Sequence, residues 1–205
     1  MQNRRILLAA AGVAPLLSLA LPARADQSPF RATLTVQFVL SQACATGDSA
    51  CNKCLQTQGS FFVDAQGIAD TTLGPLFAKV LKCALPPGST KQTQFGTYAG
   101  TLTLSLTPPV TPPSLIQPPK DVLTLTYEGK NDDAGDFYGF GPFDGTLTIE
   151  SGTGKFRGAN GTLTFIAQGG ASVPATELGV TPSPFVAMGN AFYLINGTIN
   201  QGANQ

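Results

Sequence analysis

Ala32-Thr-Leu-Thr-Val-Gln-Phe-Val-Leu40 decides the fold. Side chains on a strand point to opposite faces with period two, so Leu34, Val36, Phe38 and Leu40 share one side while Thr33, Thr35 and Gln37 share the other. The same short phrase returns as Gly100-Thr-Leu-Thr-Leu104, Val122-Leu-Thr-Leu-Thr126, Gly145-Thr-Leu-Thr-Ile149 and Gly161-Thr-Leu-Thr-Phe165. In each case one face is aliphatic and the other is threonine. Leu102, Leu104 and Leu106 oppose Thr101, Thr103 and Ser105, and Leu147 and Ile149 oppose Thr146, Thr148 and Glu150.

Strands of this kind pack their aliphatic faces on a common core and leave β-branched polar faces in water. The fold class is therefore all-β, an antiparallel β-barrel of about eight strands rather than a parallel α/β fold. The intervals between the repeats are uneven, which argues against propeller blades. Further strands are expected at 60–63, 184–188 and 191–199. One short helix is expected over Thr72–Leu85, where Leu76, Phe77, Val80 and Leu81 fall at helical spacing behind a threonine cap, with Lys79 and Lys82 on the wet side. Pro108–Pro119 cannot join a ladder, because proline has no amide hydrogen, and reads as an extended surface loop.

The N-terminal stretch carries a different message. Arg4-Arg5 precedes an apolar run from Ile6 to Leu21, and Ala23-Arg24-Ala25 follows. Basic, apolar and small-x-small in that order describe a secretory signal peptide over 1–25, with cleavage before Asp26 and a single barrel-like domain over 26–205. The run is shorter than the roughly 20 apolar residues that cross a bilayer, and no later segment is apolar enough, so no membrane span is expected after signal removal. Export to the periplasm or the exterior follows. Asn3-Arg4-Arg5-Ile6-Leu7-Leu8 only partly matches the twin-arginine motif, so the general secretory route is the expected one.

Composition narrows the chemistry. Of 205 residues, 42% are hydrophobic and only 12% charged, with 23 glycines and 16 prolines, which suits short strands joined by turns. Removing residues 1–25 takes away three arginines and no acid, leaving 9 basic and 12 acidic residues. Without a basic cluster, nucleic acid is excluded as a partner. The chain has no histidine, which removes the commonest general base and metal-ligating nitrogen, and with it a serine triad.

Cys44, Cys51, Cys54 and Cys83 are even in number in an exported chain, so disulfides are expected. Three pairings are open, each stapling a cysteine-bearing loop to the expected helix that carries Cys83. A four-thiolate metal site is the sharper alternative and is not favoured, and no metal or cofactor is expected. Gly152-Thr-Gly-Lys155 is not a phosphate loop, since Ile149 and Phe156 stand where that loop needs Gly and Ser or Thr. Asn131–Asp136 lacks the spacing of a calcium loop. Phe137, Tyr138, Phe140 and Phe143 form the richest aromatic stretch, whose rings could cap the core or line an apolar pocket.

The stretch Phe143–Phe165 is informative as a unit. Gly152, Thr153, Gly154, Lys155, Phe156, Arg157, Ala159 and Gly161 form a strand-connecting turn that resembles a signature of the dirigent and allene oxide cyclase-like barrel superfamily. The glycines supply the positive φ of a tight turn, and Phe156 can tuck beneath it. The resemblance implies an eight-stranded barrel, often trimeric, with an apolar cavity that in some members steers a reactive intermediate without any cofactor. The cysteine loop, the helix and the proline loop depart from the plant pattern.

Three functional readings follow. The first is a noncatalytic exported barrel that binds a small apolar ligand or serves the cell envelope. The second is a cofactor-independent cyclase or isomerase, with Tyr127, Tyr138, Asp144, Glu150 and Arg157 as candidate groups. The third is an extracellular interaction protein that uses its threonine faces and proline loop.

Overall fold

Threonine-leucine alternation becomes curvature once every strand finds two neighbours. The computed structural model describes residues 27–41, 43–56, 60–85, 96–108, 121–131, 142–174 and 185–201. Eight strands run in chain order: β1 (Gln27–Ser41), β2 (Phe61–Thr71), β3 (Gly74–Leu85), β4 (Gly96–Ser105), β5 (Val122–Asn131), β6 (Phe143–Gly152), β7 (Thr162–Pro174) and β8 (Phe185–Asn200). Each pairs antiparallel with the next, and β8 closes on β1. The expected all-β antiparallel barrel is thus the observed one. Closure leaves no edge strand exposed.

Following paired residues round the barrel from Leu40 through Val63, Lys82, Gly100, Tyr127, Leu147, Leu163 and Gly197 returns to β1 at Phe30, ten residues from the start. That stagger tilts the strands by about 40° and leaves an interior wide enough for side chains or one small ligand. The alternation in the sequence is obeyed: Leu34, Val36, Leu102, Leu104, Leu123, Leu125, Leu147 and Leu163 are buried. Each such leucine contributes about 2 kcal/mol relative to an exposed one. Apolar inside and threonine outside is the reverse of a membrane-spanning barrel.

Three expectations need correction. Residues 72–85 are not a helix but the hairpin turn and strand β3. Leu76, Ala78, Val80, Lys82 and Ala84 face inward, and ladders to both β2 and β4 outweigh a local pattern that fitted either period. The threonine taken for a helix cap belongs instead to a turn: the neighbouring Thr71 hydroxyl accepts the Leu73 amide hydrogen at 3.0 Å and donates to the Gly74 carbonyl at 2.7 Å. Gly74, at φ +95°, supplies the left-handed position.

The helix lies elsewhere. Helix α1 (Ser49–Leu55) falls inside the cysteine loop, capped by the Asp48 carboxylate, which accepts the Cys51 amide hydrogen at 2.9 Å. Cys44 pairs with Cys51, and Cys54 pairs with Cys83, so the second bridge ties α1 to strand β3 rather than to a helix. Around it Cys51, Cys54 and Phe62 form a small satellite core with Leu55 and Leu81. Leu106, expected on the core face, is exposed, because β4 ends at Ser105.

The barrel has two ends. At the turn end lie the Thr72-Leu73 hairpin, the connection 106–121 and the β6–β7 turn. Most of the proline-rich loop, 109–119, is outside the described residues. The β6–β7 turn contains a short 3-10 segment, Gly154–Phe156, and buries Phe156 and Ala159. At the helix end β1, β3, β5 and β7 finish, and the connections 86–95, 132–141 and 175–184 are outside the described residues.

Candidate functional site

Among the described residues only Ser60, Lys82 and Ser105 are buried polar or charged side chains, so the interior holds one cation and no buried carboxylate. Lys82 sits on β3, in the half of the barrel nearer the helix end, and its ammonium is set among rings from four strands. Its Nζ lies 4.4 Å from the ring centres of Tyr98 (β4) and Phe143 (β6), 5.2 Å from Tyr127 (β5) and 5.9 Å from Tyr193 (β8). All four fall within the reach of cation–π attraction, roughly 6 Å. Nζ also donates a 3.4 Å hydrogen bond to the Tyr193 hydroxyl.

The rings support one another. Tyr127 stacks on Phe165 at 4.8 Å, and Phe143 meets Tyr193 edge-on at 5.5 Å. Glycine makes the room for this: Gly129 and Gly145 face each other across β5 and β6, and the Phe165 ring lies over both. A side chain at Gly145 would collide with that ring and with the Glu128 carbonyl.

Electrostatically the site is unbalanced. Burial alone lowers the Lys82 ammonium from its usual range to about 7. Burial likewise raises Tyr193, and raises Tyr127 with help from the Tyr193 hydroxyl, so both stay protonated. The Tyr127 hydroxyl is buried beside that of Tyr193, the two rings meeting edge-on with centres 6.4 Å apart.

Lys82 also borders a void of about 10 Å³, lined by Val36, Phe38, Val63, Ala65 and Ala191 together with Phe143 and Tyr193. That is the room of about one water molecule. The arrangement can therefore supply an amine close to half-protonated at neutral pH, phenol donors and an aliphatic wall.

Comparison with protein-family models, with curated proteins and with solved structures finds no match in any of the three.

Of the residues expected from sequence, Tyr127 and Phe143 belong to this cluster. Asp144 is half-buried on the opposite face of β6 from Phe143. Glu150 is exposed at a bulge, since Thr124 and Leu125 pair with Ser151 and Ile149 and leave it unpaired. Arg157 is exposed in the β6–β7 turn. The structure does not bring these three together with Tyr127. Phe137, Tyr138 and Phe140 are outside the described residues.

Sequence reading missed Lys82, Tyr98 and Tyr193. A signal existed for the first: read with period two, Leu76, Ala78, Val80, Lys82 and Ala84 make an inward set with one charge in it.

Proposed function

We propose that the protein is an exported barrel that binds a small, mostly apolar molecule carrying one oxygen acceptor, anchored on Lys82. The carrying observation is a buried ammonium with no buried acid beside it among the described residues. Buried charges are ordinarily paired, and a perturbed amine in an apolar interior is a functional-site candidate. A ligand carboxylate or carbonyl would take the free donors of Nζ. Because the void has the room of about one water molecule, only the ligand's oxygen fits within it.

Export is supported by the two disulfides and by the signal-like residues 1–25. Mass spectrometry of the exported protein should find Asp26 as its terminus. Kinship with the dirigent and allene oxide cyclase-like superfamily is supported by the position of the Gly152–Gly161 turn between β6 and β7 of an eight-stranded barrel. The cyclase or isomerase reading draws less support, because Asp144, Glu150 and Arg157 are on the outside.

Hexanoate and hexanol test the anchor. Hexanoate should bind the purified protein, and Lys82→Met should weaken it about 10- to 100-fold, the loss of a charge-assisted hydrogen bond. Equal affinity in both proteins overturns the reading.

A second reading rests on the outer surface. Ile166, Met188, Phe192 and Leu194 on β7 and β8 are exposed, with Ile166 opposite Leu194 and Ile68 reached from Phe192 across Thr35. This band is the natural place for contact with further copies of the chain, the oligomer that the family resemblance implies. Sedimentation of the purified protein and of an Ile166→Lys, Phe192→Lys variant tests it. A monomeric parent would end this reading.

A further inference from the structure

We infer that Lys82 is a carbonyl-capturing residue, at which a short aliphatic aldehyde or ketone is held as an imine. This deepens the proposed function and rests on Lys82 as the ligand anchor. The geometry sets the amine between rings and a small void. The rings of Tyr98, Tyr127, Phe143 and Tyr193 surround Nζ. Lys82 also borders the void, whose wall is Val36, Phe38, Val63 and Ala65 from β1 and β2, Ala191 from β8, and the rings of Phe143 and Tyr193. The space beside Lys82 is thus apolar but for the Tyr193 hydroxyl and of the size of a carbonyl group. A carbonyl there stands against the nucleophile with no charged side chain among the void-lining residues to compete for it.

Capture follows from groups already in place. The unprotonated Nζ gives its lone pair to the carbonyl carbon, the C=O π pair moves to oxygen, and a proton passes from nitrogen to that oxygen, forming a carbinolamine. The C–O bond then breaks, and the hydroxyl leaves with the second N–H proton as water. One amine and one carbonyl give one imine and one water, without oxidant or reductant. The Tyr193 hydroxyl, 3.4 Å from Nζ, is placed to relay the proton, and the rings retain a protonated imine as they retain the ammonium.

The state of the amine agrees. With its pKa near 7, about half of Lys82 is unprotonated at neutral pH, against well under one per cent of an ordinary lysine. The groups that face it are phenols, Tyr98, Tyr127 and Tyr193, with no acid among the described buried residues to hold its proton.

The test is reductive trapping. The purified protein is incubated at pH 7 with propanal and cyanoborohydride, then peptide-mapped. The expected result is a propyl group on Lys82 at least about tenfold ahead of Lys53, Lys79, Lys130 and Lys155, the preference fading as pH approaches 10. Ala65→Leu, which fills the void and keeps the lysine, should abolish the Lys82 adduct while its circular dichroism and melting temperature report a folded barrel. No adduct on Lys82, or one that Ala65→Leu leaves untouched, overturns the inference. Lys82-dependent hexanoate binding without a propanal adduct would sink the imine and leave the anchor standing, whereas loss of both sinks both.

Discussion

Lys82 and Gly100 face each other across the β3–β4 ladder, and on its far side Gly100 faces Tyr127. The absent side chain at Gly100 is what lets the three strands draw close enough for the lysine to reach the rings. A methyl group there would meet the Leu81 carbonyl oxygen and stand 2.5 Å from the Cα of Lys82. Gly100→Ala should therefore cost about 1–3 kcal/mol, the usual range for forcing backbone apart in a packed interior. Denaturant unfolding monitored by tyrosine fluorescence measures it, and an unchanged midpoint would refute the close approach.

The buried ammonium ties stability to pH. Between about pH 7 and 10.5 the unfolded chain holds the Lys82 proton and the folded one does not, so stability rises with pH across that window. Below pH 7 both states are protonated and the full penalty is present. Tyr127 and Tyr193 act oppositely only near pH 10 and above, where the unfolded phenols ionise first. Between pH 7 and 9.5 the native protein should gain about 3 kcal/mol that Lys82→Met does not gain. Parallel curves for the two proteins would show that Lys82 titrates normally.

How far the sequence revealed this site turns on particular residues. The barrel was legible because Thr-Leu-Thr admits one period, and the inward burial of Leu34, Leu102 and Leu147 follows from it. Residues 76–81 were ambiguous, since Leu76, Phe77, Val80 and Leu81 satisfy a helix as well as a two-faced strand. That ambiguity hid the site itself, because a helix puts Lys82 in water and a strand puts it in the core. Tyr98 and Tyr193 were invisible for another reason: their meeting depends on the barrel closing and on its stagger, which local patterns do not encode.

The two disulfides should differ in weight. Cys54 and Cys83 are 29 residues apart and close a loop that runs from the end of α1 through the β2–β3 hairpin, whereas Cys44 and Cys51 are 7 apart. By loop-closure entropy the first contributes about 3–4 kcal/mol and the second about 2 kcal/mol. Cys54→Ala with Cys83→Ala should lower the unfolding free energy by the larger amount, and Cys44→Ala with Cys51→Ala by the smaller. Non-reducing peptide maps check the pairing independently, and a Cys51–Cys54 bridge would refute it.

The Gly152–Gly161 turn has a mechanical task here. Phe156 points back into the barrel and joins the main core, while Lys155 and Arg157 on either side are exposed. The turn is anchored to the neighbouring β5: the Asp121 carboxylate accepts the Lys155 amide hydrogen at 2.7 Å, and the Thr153 hydroxyl accepts that of Val122 at 3.1 Å. Gly154 and Gly158, at φ +55° and +76°, let the chain double back over the ring. Phe156→Ala should then cost about 3–5 kcal/mol, as a truncated core aromatic does. Arg157→Ala should stay within about 0.5 kcal/mol and leave hexanoate binding and propanal capture unchanged. If Arg157→Ala instead abolished either activity at unaltered stability, the turn would be part of the ligand site, and the lysine cage would not be its centre.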